Sequence, residues 1–245
     1  MDLDFELHND LPYAATDRDK YIEKAWRMLP VREQPDILDM GCGKGGPTTT
    51  LARLSGGRVT GLDNHQPDLD CLTETARAEN LSDRIRAVHG SMLDVPFPQH
   101  SFDIVWVEGA IFVIGFERGL REWRWLLRPR GCLVVHEMCW LRPEPPREIR
   151  EYWQNMYSGI TTVDGNAGII NCCEYDLLGQ FVLPDDAWWL MYYGPLEERV
   201  KKLRHKYAGD KSALDVLDRE QRDIDMYRKY RRWYGSAYFV MQASS

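Results

Sequence analysis

The stretch "ILDMGCGKGG" places an apolar run directly before four glycines in six positions, Gly41, Gly43, Gly45 and Gly46. Main chain without side chains lets a ligand come against the backbone, and a helix opening behind it turns free N–H groups toward that ligand. The pattern G-x-G-x-x-G is formally present at 41, 43 and 46, a dinucleotide fingerprint that is weak on its own. Asp63 follows Gly41 by 22 residues, where an acid ending a second strand meets ribose hydroxyls and disfavours a 2′-phosphate. Further along, Glu108 ends "FDIVWVE" and His136-Glu137 end "GCLVVHE". Two carboxylates and an imidazole beside one crevice can orient or deprotonate an acceptor, or compensate a cationic one.

These residues need elements to carry them. "DILDM", "RVTGLD", "RIRAVHG", "FDIVWVEG" and "GCLVVHEM" read as strands; "TLARL", "PDLDCLTETARAEN" and "FERGLREWRWLL" read as helices between them. This β/α rhythm predicts a doubly wound α/β sheet, mostly parallel, with right-handed crossovers and helices on both faces. A helix is expected over residues 16 to 29, opened by a capping box of Thr16 and Asp19, with Ile22, Ala25, Trp26 and Leu29 on one face. Beyond residue 140 the rhythm loosens into a helix-rich stretch from about 195 to 232, followed by "SAYFVMQ", read as an antiparallel edge strand. One domain over 1–245 is expected: an N-terminal helical cap over 1–34, a cofactor-binding core over 35–140 and substrate-side additions over 141–245.

Composition narrows the function. A net charge of −7 argues against a broad phosphate-binding surface, so no nucleic-acid partner is expected. The basic runs "RVKKLRHKYAGDK" and "YRKYRR" read as solvated helix faces. No apolar run is long enough to span a membrane, and the acidic start "MDLDFELHNDLP" lacks the features of a secretory signal, so a cytoplasmic protein is expected. Six scattered cysteines without a CxxC pair favour reduced thiols, with no structural metal.

In order and spacing, "ILDMGCGKGG", "VTGLDNH", "VHGSMLDVPFPQHSFDIVWVEGAI" and "LLRPRGCLVVHE" resemble the successive motifs of class I S-adenosylmethionine-dependent methyltransferases. The resemblance covers residues 35 to 140 and is nearest to the type 11, ubiquinone/menaquinone-methyltransferase-like branch of small-molecule enzymes. It implies a Rossmann-like sheet of seven strands, S-adenosyl-L-methionine as cofactor and S-adenosyl-L-homocysteine as product. Carried over by position, Asp39 and the backbone of Gly41, Cys42 and Gly43 would hold the methionine end, and Asp63 the ribose hydroxyls with Asn64 beside it. Ser91 and Met92 stand where the family reads adenine, commonly with an acid followed by a small residue; this chain departs there, which shifts the task to the Met92 backbone or to Asp94.

The cofactor of that family brings its own electrophile, so the protein chiefly aligns an acceptor and excludes water. Glu108, His136 and Glu137 are the candidate catalytic groups, with Glu137 favoured over His136; Glu108 reads equally as a loop-fixing partner and His136 as a core histidine. Trp188, Trp189, Tyr192 and Tyr193 in "AWWLMYYG" form either an acceptor wall or glue between helices and sheet. Cys42 reads as packing, and Cys139, Cys172 and Cys173 raise a metalloid-thiol alternative whose spacing matches no family pattern. The expected function is methyl transfer to a small-molecule acceptor, with a homodimer allowed. The alternatives are an NAD-linked oxidoreductase, which rests on the formal glycine fingerprint alone, and a non-catalytic cofactor-binding module.

Overall fold

The computed structural model describes residues 3–8, 15–30 and 32–244, with the backbone alone at 4, 5 and 15–17. Seven strands form one sheet in the order β3-β2-β1-β4-β5-β7-β6. In chain order they are β1 (Asp36–Met40), β2 (Arg58–Asp63), β3 (Ile85–His89), β4 (Phe102–Glu108), β5 (Leu127–Trp140), β6 (Tyr175–Val182) and β7 (Tyr234–Ala243). Strands β1 to β5 pair in parallel, and β7 runs antiparallel to both β5 and β6. This is the doubly wound, Rossmann-like sheet expected from the β/α rhythm. The last strand is antiparallel as expected and lies one place inside the edge, where all ten of its residues are buried; β6 takes the edge instead. Its aromatic and β-branched run suits a strand covered on both faces.

Side chains alternate between faces along each strand, so one sequence feeds two cores. In β4, Val105 and Val107 enter one cluster with Phe116, Leu120, Trp123 and Phe239, while Ile104 and Trp106 enter the other with Leu51, Val59, Tyr238 and Val240. The helices on these faces include α2 (Ala15–Trp26), α3 (Gly46–Ser55), α4 (Gln66–Ala78), α5 (Phe116–Trp123) and α7 (Val163–Cys172). Ile22 and Ala25 are buried in α2 as the spacing predicts, whereas the Thr16 half of the expected capping box lies outside the described side chains. Over the carboxyl end of the sheet, α1 (Leu3–His8), α6 (Arg147–Met156), α8 (Gly194–Lys206) and α9 (Lys211–Tyr230) build a third cluster around Tyr193, Tyr227 and Tyr234. A π-helical turn over Trp189–Tyr193 leads into α8. Among the described residues no helix is long and apolar enough to cross a membrane.

Candidate functional site

After β1 the chain turns sharply: the Gly41 and Cys42 N–H groups both donate to the Leu62 carbonyl, at 2.8 and 3.1 Å, and Gly45 N–H donates to the Cys42 carbonyl at 2.9 Å. Two glycines are demanded here by conformation and space together. Gly41 has φ +71° and a Cβ on it would meet Ala110 at 2.7 Å; Gly45 has φ +80° and a Cβ would lie 2.1 Å from the Leu72 side chain. Pro47 then opens α3, whose N-cap Gly45 supplies no side-chain cap. Cys42 packs with Leu69 and Leu72, and burial pushes its thiol far above the usual range, which makes it a packing group as read from the sequence.

The acids are set at different depths. Asp39 is 1% exposed and accepts the Thr48 hydroxyl at 2.6 Å. Burial raises its carboxyl to about 7, with Glu108 and Asp63 adding in the same direction and Thr48 and Arg18 opposing. Asp63 accepts two backbone N–H groups, Gly43 at 2.8 Å and His65 at 2.9 Å, which ties β2 to the glycine turn. Asn64 is exposed beside it, its carbonyl 3.1 Å from the His89 ring. Ser91 accepts the Leu93 N–H at 3.1 Å and so closes its own turn, while the Met92 carbonyl accepts from Trp123 and its methyl group lies near Gly41.

Asp39, Gly41, Cys42 and Gly43 open into a cavity of about 730 Å³ that also contains Glu108, His136 and part of the aromatic segment. Glu108 and His136 are register partners on β4 and β5. One Glu108 oxygen, Oε1, accepts from both the Tyr238 hydroxyl, at 2.7 Å, and the Trp106 ring N–H, at 3.0 Å. Among the described residues no group meets the other oxygen, which is left for the cavity. Desolvation raises the Glu108 carboxyl, against the opposing pull of Arg18, Tyr238 and Trp106.

The His136 ring is stacked between Tyr238, at 4.6 Å, and Trp188, at 5.8 Å. Burial and the nearby Arg18 charge lower it to about 3, so it is neutral across the physiological range. Ser236 fixes the ring's position. Its hydroxyl accepts from Trp188 Nε1 at 2.6 Å and stands 2.7 Å from His136 Nε2, joining the two rings.

Period-two alternation sends Glu137 to the opposite face from His136: its register partner Ala237 belongs to the cluster of Val135 and Phe239, while His136 pairs with Tyr238. Glu137 does not line the cavity; it accepts the Met138 N–H at 2.7 Å, and burial raises its carboxyl to about 8. The aromatic segment divides too. Trp188, Tyr192 and Tyr193 line the cavity, whereas Trp189 carries the Arg228 guanidinium 4.8 Å over its ring. Cys139 and Cys173 are buried in the same core as Ile170 and Cys172 is exposed; no group of three or more metal-ligating side chains occurs among the described residues.

The cavity also holds residues that no motif announced, notably Arg18, Tyr21 and Tyr238. Arg18 and Tyr21 sit in a charged N-terminal helix whose capping box and apolar face were legible but gave no sign of a ligand.

Residues 37–131 match the family model described as a methyltransferase domain. The chain is 27% identical over 185 residues to the sterol 24-C-methyltransferase of Aspergillus fumigatus, an alignment covering 71% of this chain and 48% of that protein. The chain thus spans about half the length of the curated relatives it matches, at 48% and 44% of two sterol 24-C-methyltransferases. Among solved structures, a methyltransferase from Geobacter sulfurreducens in complex with S-adenosyl-L-homocysteine superposes with a TM-score of 0.76 at 20% identity, covering 92% of this chain and 90% of that one. The [4+2]-cyclase SpnF superposes equally well, with a TM-score of 0.77 at 18% identity over 98% of this chain and 93% of its own, so the fold does not by itself fix the reaction. Motif order, family model and sheet topology agree that this chain carries a class I S-adenosylmethionine-dependent methyltransferase domain.

Proposed function

We propose that this protein transfers the methyl group of S-adenosyl-L-methionine to a small-molecule acceptor held in the cavity of about 730 Å³. The observation that carries the reading is that the bare glycine turn and the Glu108/His136 pair open into that same space. The residues fit the cofactor: Asp39 offers a buried acceptor for an ammonium, Gly43 offers main chain with open space beside it, and Asp63 ends β2 beside the turn. Asn64, Ser91 and Met92 follow on the same side, where the nucleoside would lie. When bound, the cofactor supplies a methyl group on a sulfonium, so no acid is needed to create the electrophile.

The chain's own residues then act on the acceptor. Glu108, with Oε1 held by two donors, presents its second oxygen to orient an acceptor N–H or O–H, or to offset positive charge that develops on attack. The neutral His136 orients the acceptor by hydrogen bonding rather than by taking its proton. Trp188, Tyr192 and Tyr193 supply an aromatic wall that excludes water and favours a planar, apolar or cationic group. Glu137 plays no part in contact with the acceptor on this reading. Residues 35–140 carry the glycine turn and the Glu108/His136 pair, 141–245 the aromatic wall, and 1–34 contribute Arg18 and Tyr21 to the cavity. Six free thiols suit a reducing cytoplasm.

The test is a screen of small-molecule acceptors, sterols and amines included, with methyl-labelled cofactor. Product formed by the wild type and lost in Glu108→Gln supports the reading. Binding of NAD without S-adenosylhomocysteine, or cofactor binding with no product from any acceptor, would turn it toward an oxidoreductase or a non-catalytic module. Sedimentation of the same preparation reads whether the protein is a homodimer.

A further inference from the structure

Arg18 comes from α2, far in sequence from the glycine turn, yet its guanidinium lies against that turn: a Cβ placed on Gly46 would meet Arg18 Nη2 at 1.7 Å. Its neighbour Asp19 meets the same helix, accepting the Thr50 hydroxyl at 2.7 Å and standing 3.6 Å from Arg53 on α3. Arg18 lines the cavity together with Asp39, and its positive charge acts on Asp39, Glu108, His136 and Tyr238. An acid and a guanidinium flanking bare main chain match the two charges of an α-amino-acid group, whose ammonium and carboxylate are separated by one carbon. A guanidinium pairs with a carboxylate through two parallel N–H donors, a geometry a lysine cannot copy.

We propose that Arg18 binds the carboxylate of the cofactor's methionine moiety while Asp39 takes its ammonium, so that the N-terminal helix selects the intact amino acid. The assignment rests on the cofactor reading above. It explains why Gly46, whose φ is not in the left-handed region, has no side chain: the space belongs to the guanidinium. It also gives the N-terminal cap a chemical task, since removing α2 would remove half of the zwitterion receptor. Lys44 lines the same cavity and is the competing cation.

The test is calorimetric binding, without turnover, of two probes: S-adenosyl-L-homocysteine, and S-adenosyl-3-thiopropylamine, which keeps the amine and lacks the carboxylate. For Arg18→Gln we expect S-adenosyl-L-homocysteine to weaken by about 10-fold to about 100-fold, the value of a charge-assisted pair, while the thiopropylamine changes less than about 2-fold. Gly46→Ala, whose backbone tolerates a side chain, displaces the guanidinium and should reproduce that selective loss; Arg18→Lys should recover only part of the affinity. Equal weakening of both probes, no weakening, or selective loss in Lys44→Gln instead would overturn the assignment and leave the cofactor reading intact. If the wild type binds neither probe, the cofactor reading itself fails and the assignment with it. Thermal melts that match the wild type show that each variant is folded.

Discussion

Glu108 and His136 are neighbours across the β4–β5 register, and each is held by a different aromatic partner: Glu108 by the Tyr238 hydroxyl and the Trp106 ring, His136 through Ser236 by Trp188. The pair therefore presents one carboxylate oxygen and a neutral imidazole to the same space.

Replacing Glu108 by Gln keeps an oxygen for Tyr238 and Trp106 and removes the charge facing the cavity. The expected outcome is a kcat lower by about 10²-fold with cofactor affinity within about 3-fold, because the lost interaction is one made with the acceptor as it reacts. Single-turnover kinetics beside calorimetry measure both. An equal fall in cofactor affinity would make Glu108 a cofactor ligand instead.

Cofactor binding should depend on pH through Asp39. Its carboxyl is raised to about 7 by burial, with Glu108 and Asp63 repelling it and Thr48 and Arg18 favouring the ion. An ammonium needs the ionised form, so affinity for S-adenosyl-L-homocysteine should rise with pH through about 7, by nearly 10-fold per unit on the acid side. It should fall again at alkaline pH, where the ligand's own α-amino group loses its proton. The profile is read by calorimetry, and Asp39→Asn should flatten its acid limb.

Glu137 predicts a stability effect rather than a catalytic one. Its carboxyl is raised from 4.5 to about 8 in the folded chain, so the folded state keeps a proton that the unfolded state gives up. Stability from this group is fully present below 4.5 and is lost as pH rises through about 8. Glu137→Gln should therefore raise stability at pH 8 by about 2–4 kcal/mol, seen as a higher Tm, and change it little near pH 4. Cofactor binding should be unaffected, since Glu137 lies on the other face of the sheet.

Ser236→Ala leaves the Trp188 N–H and His136 Nε2 facing each other without the hydroxyl that joins them. The cost should be about 1–3 kcal/mol of stability, as expected for buried groups that lose their partner. Acceptor KM should rise more than cofactor Kd, because Trp188 and His136 line the acceptor side. Denaturant melts and steady-state kinetics read the two effects.

The sheet was legible because strand signals are local. "RVTGLD" matches β2 residue for residue, and the runs before Gly41 and around Glu108 matched their strands just as closely. What the sequence could not reveal was the facing of residues on β5. His136 and Glu137 are adjacent, and which one meets the cavity depends on β7 pairing His136 with Tyr238, a contact about a hundred residues away. Position along the chain also hid Arg18, whose surroundings in "TDRDK" read as an ordinary polar helix face. The aromatic segment was legible as a cluster, but not as three cavity residues and one helix-packing residue, because a π-helical turn sets the directions of Trp188 to Tyr193.

Strand β7 follows every other strand in the chain and yet is seated between β5 and β6. A nascent chain can thus assemble β1 to β5 early, but the slot beside β5 stays open until residues 234–243 have been made. Tyr238 and Ser236 arrive with that strand, so the imidazole and carboxylate they hold acquire their orientation only once residues 234–243 have docked between β5 and β6.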